Sequence, residues 1–153
     1  MKINVLFTCA GRRNYLINYF KEALNGEGNI LAADVQHNAP ALIDADISLL
    51  VPDIYDSNYI SALKKIIKEY DINAIISLND LELPILARHK SELEETGAKI
   101  LVSNLETIET TFDKWETFRF ITSIGLKTPK TFLTLDAALE ALEKNELHFP
   151  LVL

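Results

Sequence analysis

The chain has 153 residues, enough for one full domain or for one domain and part of another. Its 48% apolar content supports a packed core and excludes wholesale disorder. A formal net charge of −7 excludes general nucleic-acid binding, which needs a basic face, but leaves room for a small anion held by local positive charge. No apolar run approaches the roughly 20 residues that span a bilayer, so neither nucleic acid nor membrane is an expected partner. Met1-Lys2-Ile3-Asn4 leads into a strand without a small-residue cleavage site, so no signal peptide is read. The single cysteine, Cys9, excludes an internal disulfide and fits a reducing cytoplasm.

The first strand and its turn, Ile3-Asn4-Val5-Leu6-Phe7-Thr8-Cys9-Ala10-Gly11-Arg12-Arg13, set the pattern. Ile3, Val5, Leu6 and Phe7 suit a strand covered on both faces. Thr8 to Gly11 are small, so the backbone can turn sharply and approach a ligand. A helix is expected over residues 14–24, with Tyr15, Leu16, Tyr19, Phe20, Ala23 and Leu24 on its inner face. Strand, small-residue turn and helix open a parallel α/β sheet, whose ligands sit beyond the carboxyl ends of the strands. An anion there would meet the free N–H groups of the helix start and the forks of Arg12 and Arg13. The plainer reading makes both arginines solvated helix-start residues.

Residues 29–33 form a second expected strand, with Asp34 at its end. It lies about 20 residues past Gly11, where a dinucleotide fold holds a ribose hydroxyl. Gly11 is the only glycine of its turn where the fingerprint needs three, so the favoured reading of Asp34 is a loop cap or a partner for Arg12 or Arg13. A helical turn over 41–45, a strand over 47–51 and an amphipathic helix over 57–70 follow. The helix has Tyr59, Ile60, Leu63, Ile66, Ile67 and Tyr70 inside and Lys64, Lys65, Lys68 and Glu69 outside. The fourth strand is expected over 73–77.

Asn79-Asp80-Leu81-Glu82-Leu83-Pro84 stands at the next carboxyl-end turn. Asn79, Asp80 or Glu82 can hold a substrate amine or hydroxyl there; equally, Asp80 can cap the coming helix and Glu82 can favour its positive end. A helical stripe of Ile85, Leu86, His89 and Leu93 runs on towards Gly97, with His89 read as a satisfied core or boundary histidine. Residues 99–102 are the fifth expected strand and 103–110 a short helix. A further helix over 111–124 is expected to bury Phe112, Trp115, Phe118 and Ile121. Its first turn carries Asp113 and Lys114, and a lysine at that end is disfavoured by the macrodipole unless it reaches away or meets an anion. Residues 131–133 read as a strand, 135–144 as a helix with Leu135, Ala138, Leu139 and Leu142 inward, and 148–153 as an apolar strand. An apolar edge strand at the end of a chain invites aggregation, so a longer parent protein is expected.

His37, His89 and His148 have no metal-site spacing, so no metal ligands are assigned. No P-loop and no nucleophile elbow occurs. Cys9 sits at a helix start near arginines, where a thiol pKa can fall, or it simply fills a turn.

The chain resembles the N-terminal part of an ATP-grasp ligase, of the carbamoyl-phosphate-synthase-like kind that is also related to biotin carboxylase. The likeness rests on Phe7-Thr8-Cys9-Ala10-Gly11-Arg12-Arg13, Ala32-Ala33-Asp34, and Asp80-Leu81-Glu82-Leu83 with Leu86-Ala87. Asp113-Lys114, Thr128-Pro129-Lys130-Thr131 and Phe149-Pro150-Leu151-Val152 extend it. It implies an open parallel Rossmann-like sheet with helices on both faces, a pre-ATP-grasp domain, over residues 1–110. The truncated start of an α+β ATP-grasp domain follows over 111–153. It implies that Lys114 contacts ATP phosphates, and that Gly11, Arg12, Arg13, Asp34, Asp80 and Glu82 are substrate-side residues. No catalytic residue is assigned; a second ATP lysine, the glycine-rich loop over ATP and the Mg²⁺ carboxylates are placed by the family beyond Leu153. The implied activity of the parent is ATP- and Mg²⁺-dependent joining of a small-molecule carboxylate to an amine through an acyl phosphate. The fragment itself is expected to be inactive and to bind no cofactor tightly, and the assembly considered is a homodimer. The competing readings are a nicotinamide-dinucleotide-binding Rossmann protein and a non-catalytic module that binds a small anion.

Overall fold

In the computed structural model, which describes residues 2–152, the first apolar run forms β1 (Ile3–Thr8) at the centre of a five-stranded parallel sheet. Then come α1 (Asn14–Leu24), β2 (Gly28–Asp34), α2 (Pro40–Asp44), β3 (Ile47–Leu50), α3 (Tyr59–Glu69) and β4 (Ala74–Ser77). A pair of short helices, α4 (Leu83–Arg88) and α5 (Lys90–Glu94), leads to a two-residue strand β5 (Lys99–Ile100). The spatial order is β3-β2-β1-β4-β5, so the direction of winding reverses between β1 and β4. The expected α/β class and doubly covered parallel sheet are what the chain forms.

Alternation along β1 divides the core. Leu6 packs with Leu31, Ile75 and Ile100 against Leu63, Ile67, Leu86 and Leu93 of the helices on one face. Val5 and Phe7 pack with Ile30 and Ala32 against Ile17, Ala41 and Leu42 on the other. Each fully buried Leu or Ile side chain contributes about 1.5–3 kcal/mol relative to exposure. Phe20 of α1 meets Phe7 edge-on at 4.9 Å. The expected inner face of α1 is corrected here. Ile17, not Tyr15 or Tyr19, is the buried residue, and the two tyrosines stack edge-to-face on the exposed side at 6.0 Å. An aromatic stripe at helical spacing drew the sequence reading one face round.

Asn4 fastens β1 to both neighbours. Its N–H donates to Asn73 Oδ1 at 2.7 Å, its Nδ2 donates to the Tyr70 carbonyl at 2.8 Å, and its Oδ1 accepts from the Asn29 N–H at 3.2 Å. The expected single stripe after Pro84 breaks at His89, where the backbone leaves helical geometry (φ −102°, ψ 7°). His89 is a boundary residue: its Nδ1 meets Glu92, whose other oxygen takes Lys64 from α3.

The chain divides into two units, Met1–Leu105 and Glu106–Leu153. The second unit carries α6 (Leu105–Phe112), α7 (Lys114–Ser123) and α8 (Leu135–Glu143). The helices expected over 103–110 and 111–124 are α6 and α7, and the break between them falls at Asp113, which takes extended geometry and caps α7. Phe112 is 48% exposed and no residue of α7 is fully buried. In α8 the buried residue is Ala141, while Leu135 and Leu139 are exposed. The strands expected over 131–133 and 148–153 are not formed among the described residues, and Leu153 lies outside them. A strand needs a neighbour to satisfy its backbone, and no ladder is offered to either segment.

Two predictions follow from these contacts. A Cβ at Gly28, opposite Ile3 in the ladder, would lie 1.7 Å from the Ile3 carbonyl oxygen. Gly28→Ala is therefore expected to cost about 1–3 kcal/mol, read as a lower Tm. Burial alone would raise the Asp46 carboxyl, but the Ile30 N–H at 2.8 Å and the Lys21 ammonium at 2.9 Å together outweigh it and hold it below its usual range. A depressed carboxyl stabilises the fold above its unfolded pKa and loses that contribution as pH falls through the folded value. The urea midpoint of Asp46→Asn is expected to lie below that of the parent near neutral pH, with the gap closing below about pH 4.

Candidate functional site

Beyond the carboxyl ends of the first four strands lies a cavity of about 490 Å³. Cys9, Gly11 and Arg13 border it after β1, Asp34 and Val35 after β2, residues 51–55 after β3, and residues 78–81 after β4. Tyr59, at the start of α3, also faces it. This is the position that an open α/β sheet gives its ligands, at and beside the reversal of strand order.

The turn after β1 is unusual. Cys9 (φ +49°) and Gly11 (φ +53°) both take left-handed geometry, easy for glycine and uncommon for cysteine. The Gly11 N–H donates to Asp34 Oδ2 at 2.8 Å, and the Gln36 N–H donates to Asp34 Oδ1 at 2.9 Å. Asp34 thus joins the first turn to the loop after β2. It is the loop cap that the residue pattern favours, and among the described residues no ion pair joins it to Arg12 or Arg13. One backbone N–H on each oxygen fixes the Asp34 carboxylate in that capping role.

Glu82 differs from its expected substrate-side role. It is 0% exposed and is not on the cavity wall. Its carboxylate accepts from Thr8 Oγ1 at 2.8 Å, from Ser77 Oγ at 2.6 Å and from the Tyr59 hydroxyl. It therefore sits behind the wall, joining β1, β4 and α3. Burial, reinforced by the Glu82 charge, pushes the Tyr59 hydroxyl well above its ordinary pKa. The same two causes push the Cys9 thiol up, so Cys9 is a protonated turn filler and not an activated thiol.

Asp80 does border the cavity, and it is exposed. It does not cap the next helix: α4 begins from Glu82 without a side-chain capping bond, and the local turn is closed by Asn79 Oδ1 accepting from the Leu81 N–H at 3.0 Å. Among the described residues neither the Asp80 carboxylate nor the Arg13 guanidinium has a hydrogen-bond or ion-pair partner. Arg12 is exposed and does not line the cavity. The structure thus gathers Gly11, Arg13, Asp34 and Asp80 round one space, with Glu82 beneath it and Arg12 outside. Tyr59 and the segment 51–55 were missed as site residues. The available signal was that Val51-Pro52-Asp53-Ile54-Tyr55 follows a strand, as the other two site turns do.

Lys114, in the second unit, is the first residue of α7 and is exposed. The Asp113 carboxylate beside it is occupied as the cap, accepting from the N–H groups of Trp115 at 2.8 Å and Glu116 at 3.0 Å. Among the described residues the Lys114 ammonium has no ion pair.

A family model described as PylC-like, N-terminal domain, matches residues 5–101. No curated protein matches the chain. Among solved structures, the chain is similar to N5-carboxyaminoimidazole ribonucleotide synthetase from Thermotoga maritima, with 21% identity and a TM-score of 0.62 over 94% of this chain and 36% of that one. An L-amino acid ligase from Bacillus licheniformis shows 20% identity and a TM-score of 0.58 over 89% of this chain and 34% of its own. The biotin carboxylase domain of a single-chain bacterial carboxylase shows 16% identity and a TM-score of 0.59, covering 95% and 34%. At these identities the likeness is one of fold. The chain spans about a third of the length of the structures that it resembles.

Removing the Glu82 acceptor strands buried hydroxyls of Thr8 and Tyr59. Glu82→Ala is expected to lose about 3 kcal/mol in urea unfolding followed by far-UV circular dichroism. Glu82→Gln keeps an acceptor oxygen and is expected to lose less than half as much. Equal losses would show that the acceptor oxygen retained in Gln contributes nothing, since Gln also keeps the volume of Glu.

Proposed function

The chain belongs to the family described as PylC-like, N-terminal domain, and from that premise we propose that it serves an ATP-dependent carboxylate–amine ligase. The observation that carries the reading is the extent of the family match, which reaches all five strands, β1 from Val5 on, and every turn that borders the cavity. The fold is that of the N-terminal, pre-ATP-grasp region of ATP-grasp enzymes. The reading concerns the whole protein, of which this chain supplies the substrate-side unit over residues 1–110 and the opening of the ATP-grasp domain over 111–153.

In the proposed reaction a carboxylate takes the γ-phosphoryl group of ATP, and an amine displaces phosphate from the resulting acyl phosphate. The chain's own share is binding and alignment. The cavity beyond β1–β4 holds one of the two small molecules, with Arg13 and Asp80 as its unpartnered charges. Lys114 fits a phosphate contact: it is exposed, has no competing carboxylate partner among the described residues, and stands where the α7 dipole also favours negative charge. ATP, with Mg²⁺, would supply the activating phosphoryl group. A role for this chain alone as an anion-binding module finds less support, because among the described residues Arg13 is the one cation on the cavity wall.

The test is ADP release by the whole protein with Mg²⁺ and ATP. Release is expected to need both a carboxylate and an amine, and no nucleotide binding at all would end the ligase reading. Lys114→Ala is expected to raise the KM for ATP about tenfold, and an unchanged KM would remove Lys114 from the nucleotide site.

A further inference from the structure

The turn between α1 and β2, remote from the cavity in the chain, carries a chemistry of its own. Asn25 is the one asparagine of the sequence that is followed by glycine. It stands at the C-cap of α1 in left-handed geometry (φ 45°, ψ 40°), and Gly26 after it also has a positive φ (+82°). Asparagine and glycine tolerate this geometry and end helices for that reason. Both residues are exposed. The Asn25 N–H donates to the carbonyls of Lys21 and Glu22, each at 3.1 Å. Among the described residues, neither the Asn25 side-chain amide nor the Gly26 N–H has a hydrogen-bond partner. Asn4, Asn14, Asn18 and Asn29, by contrast, all donate through their side-chain amides. Each of those four is also followed by a residue with a side chain.

A backbone nitrogen reaches the side-chain carbonyl of the residue before it most easily when no Cβ of its own stands in the way. Gly26 has none, and nothing lies within 4 Å of the place where one would be. We propose that Asn25–Gly26 is a self-modification site, at which Asn25 is converted to aspartate and isoaspartate. The Gly26 nitrogen bonds to Cγ of Asn25 and gives its proton to a base in the solvent. The Cγ–Nδ2 bond breaks, and the nitrogen takes a proton from water and leaves as ammonia. Water then opens the five-membered imide at either carbonyl. Breaking the bond from nitrogen to Cγ gives aspartate. Breaking the bond from nitrogen to the main-chain carbonyl gives isoaspartate, whose main chain runs through Cβ and Cγ. The net change is one water consumed and one ammonia released.

The ring closes only if ψ of Asn25 turns, because at 40° the Gly26 nitrogen lies on the far side of the Cα–C bond from Cβ. That rotation breaks the bond from the Glu27 N–H to the Leu24 carbonyl, at 2.8 Å. Exposed turns open locally at far less cost than the whole fold, so the folded chain reacts, more slowly than an unfolded one. Isoaspartate lengthens the link between α1 and β2 by one main-chain carbon. The link has little slack: the Glu27 carbonyl accepts from the Ile3 N–H at 3.0 Å, and Gly28 lies against Ile3. The new carboxylate also stands at the negative end of α1, so the converted chain is less stable.

The experiment incubates the native chain, and a sample unfolded in guanidinium chloride, in one mildly alkaline buffer. Both are then mapped by proteolysis and mass spectrometry. In the native chain the peptide holding Asn25 is expected to exchange an amide NH₂ for OH before any other asparagine does. Its rate is expected to lie within about a hundredfold of the unfolded rate. The product is expected to gain one negative charge on anion exchange, to accept a methyl group from an isoaspartyl O-methyltransferase, and to melt at a lower Tm. Asn25→Gly keeps a residue suited to the left-handed C-cap, and its Tm is expected to hold through the same incubation. Earlier conversion at another asparagine of the native chain would overturn the proposal, as would a native rate below that hundredfold limit. An Asn25→Gly chain that loses as much Tm as the parent would overturn the link to stability. None of these readouts involves nucleotide, so they stand or fall apart from the ligase reading.

Discussion

A buried carboxylate with three hydroxyl donors holds the working end of this sheet together. Thr8 closes β1, Ser77 closes β4 and Tyr59 opens α3, and all three donate to Glu82. These are the elements on either side of the reversal in strand order and the helix that packs across them. A carboxyl group in the interior is costly unless its hydrogen-bonding sites are filled. Here the cost is offset by donors that only the assembled fold brings together. That makes Glu82 sensitive to the whole arrangement: the carboxylate is well solvated only when β1, β4 and α3 are in register.

The first turn depends on the same logic one layer out. Left-handed geometry at Cys9 and Gly11 leaves the Gly11 N–H pointing towards β2, and Asp34 accepts it. The Ala10 N–H donates to the Ala33 carbonyl at 3.2 Å, and the Ala41 N–H to the Gly11 carbonyl at 3.0 Å. The turn is thus tied to β2 and to α2 before any ligand is considered, so the cavity is bordered by backbone already fixed in place. Preformed walls lower the ordering cost of binding.

Much of the sheet was legible because its strands are short apolar runs punctuated by small or polar turns. Helices α1 and α3 were legible because their spacing is strongly periodic. The turns after β1, β2 and β4 were legible as site segments for a topological reason: each follows a strand in a parallel sheet. What sequence could not give was which side chains of those turns are spent internally. Asp34 and Glu82 look alike on paper to Asp80, a short acidic residue at a carboxyl-end turn. Their difference is a matter of distance to Gly11, Gln36, Thr8, Ser77 and Tyr59, three of which lie more than twenty residues away from the carboxylate they serve. The α1 face was misread for a related reason. Tyr15 and Tyr19 carry more apolar surface than Ile17, but tyrosine can remain half-wet with its ring on the surface while isoleucine cannot gain by doing so.

The second unit shows the limit of periodicity in another way. The stripes of α7 and α8 are real, yet Phe120, Leu135 and Leu139 remain exposed, and segments 131–133 and 148–152 do not pair. A hydrophobic stripe states what a helix can bury, not that a partner layer exists to bury it. Capping is local and needs no such layer, and it is the part of this unit that sequence reads most directly. Asp113 and Thr134 both accept first-turn N–H groups of the helices that follow them. The consequence for Lys114 is specific: its neighbour's carboxylate is consumed by the backbone, so the lysine's charge stays available at a helix end that already favours anions.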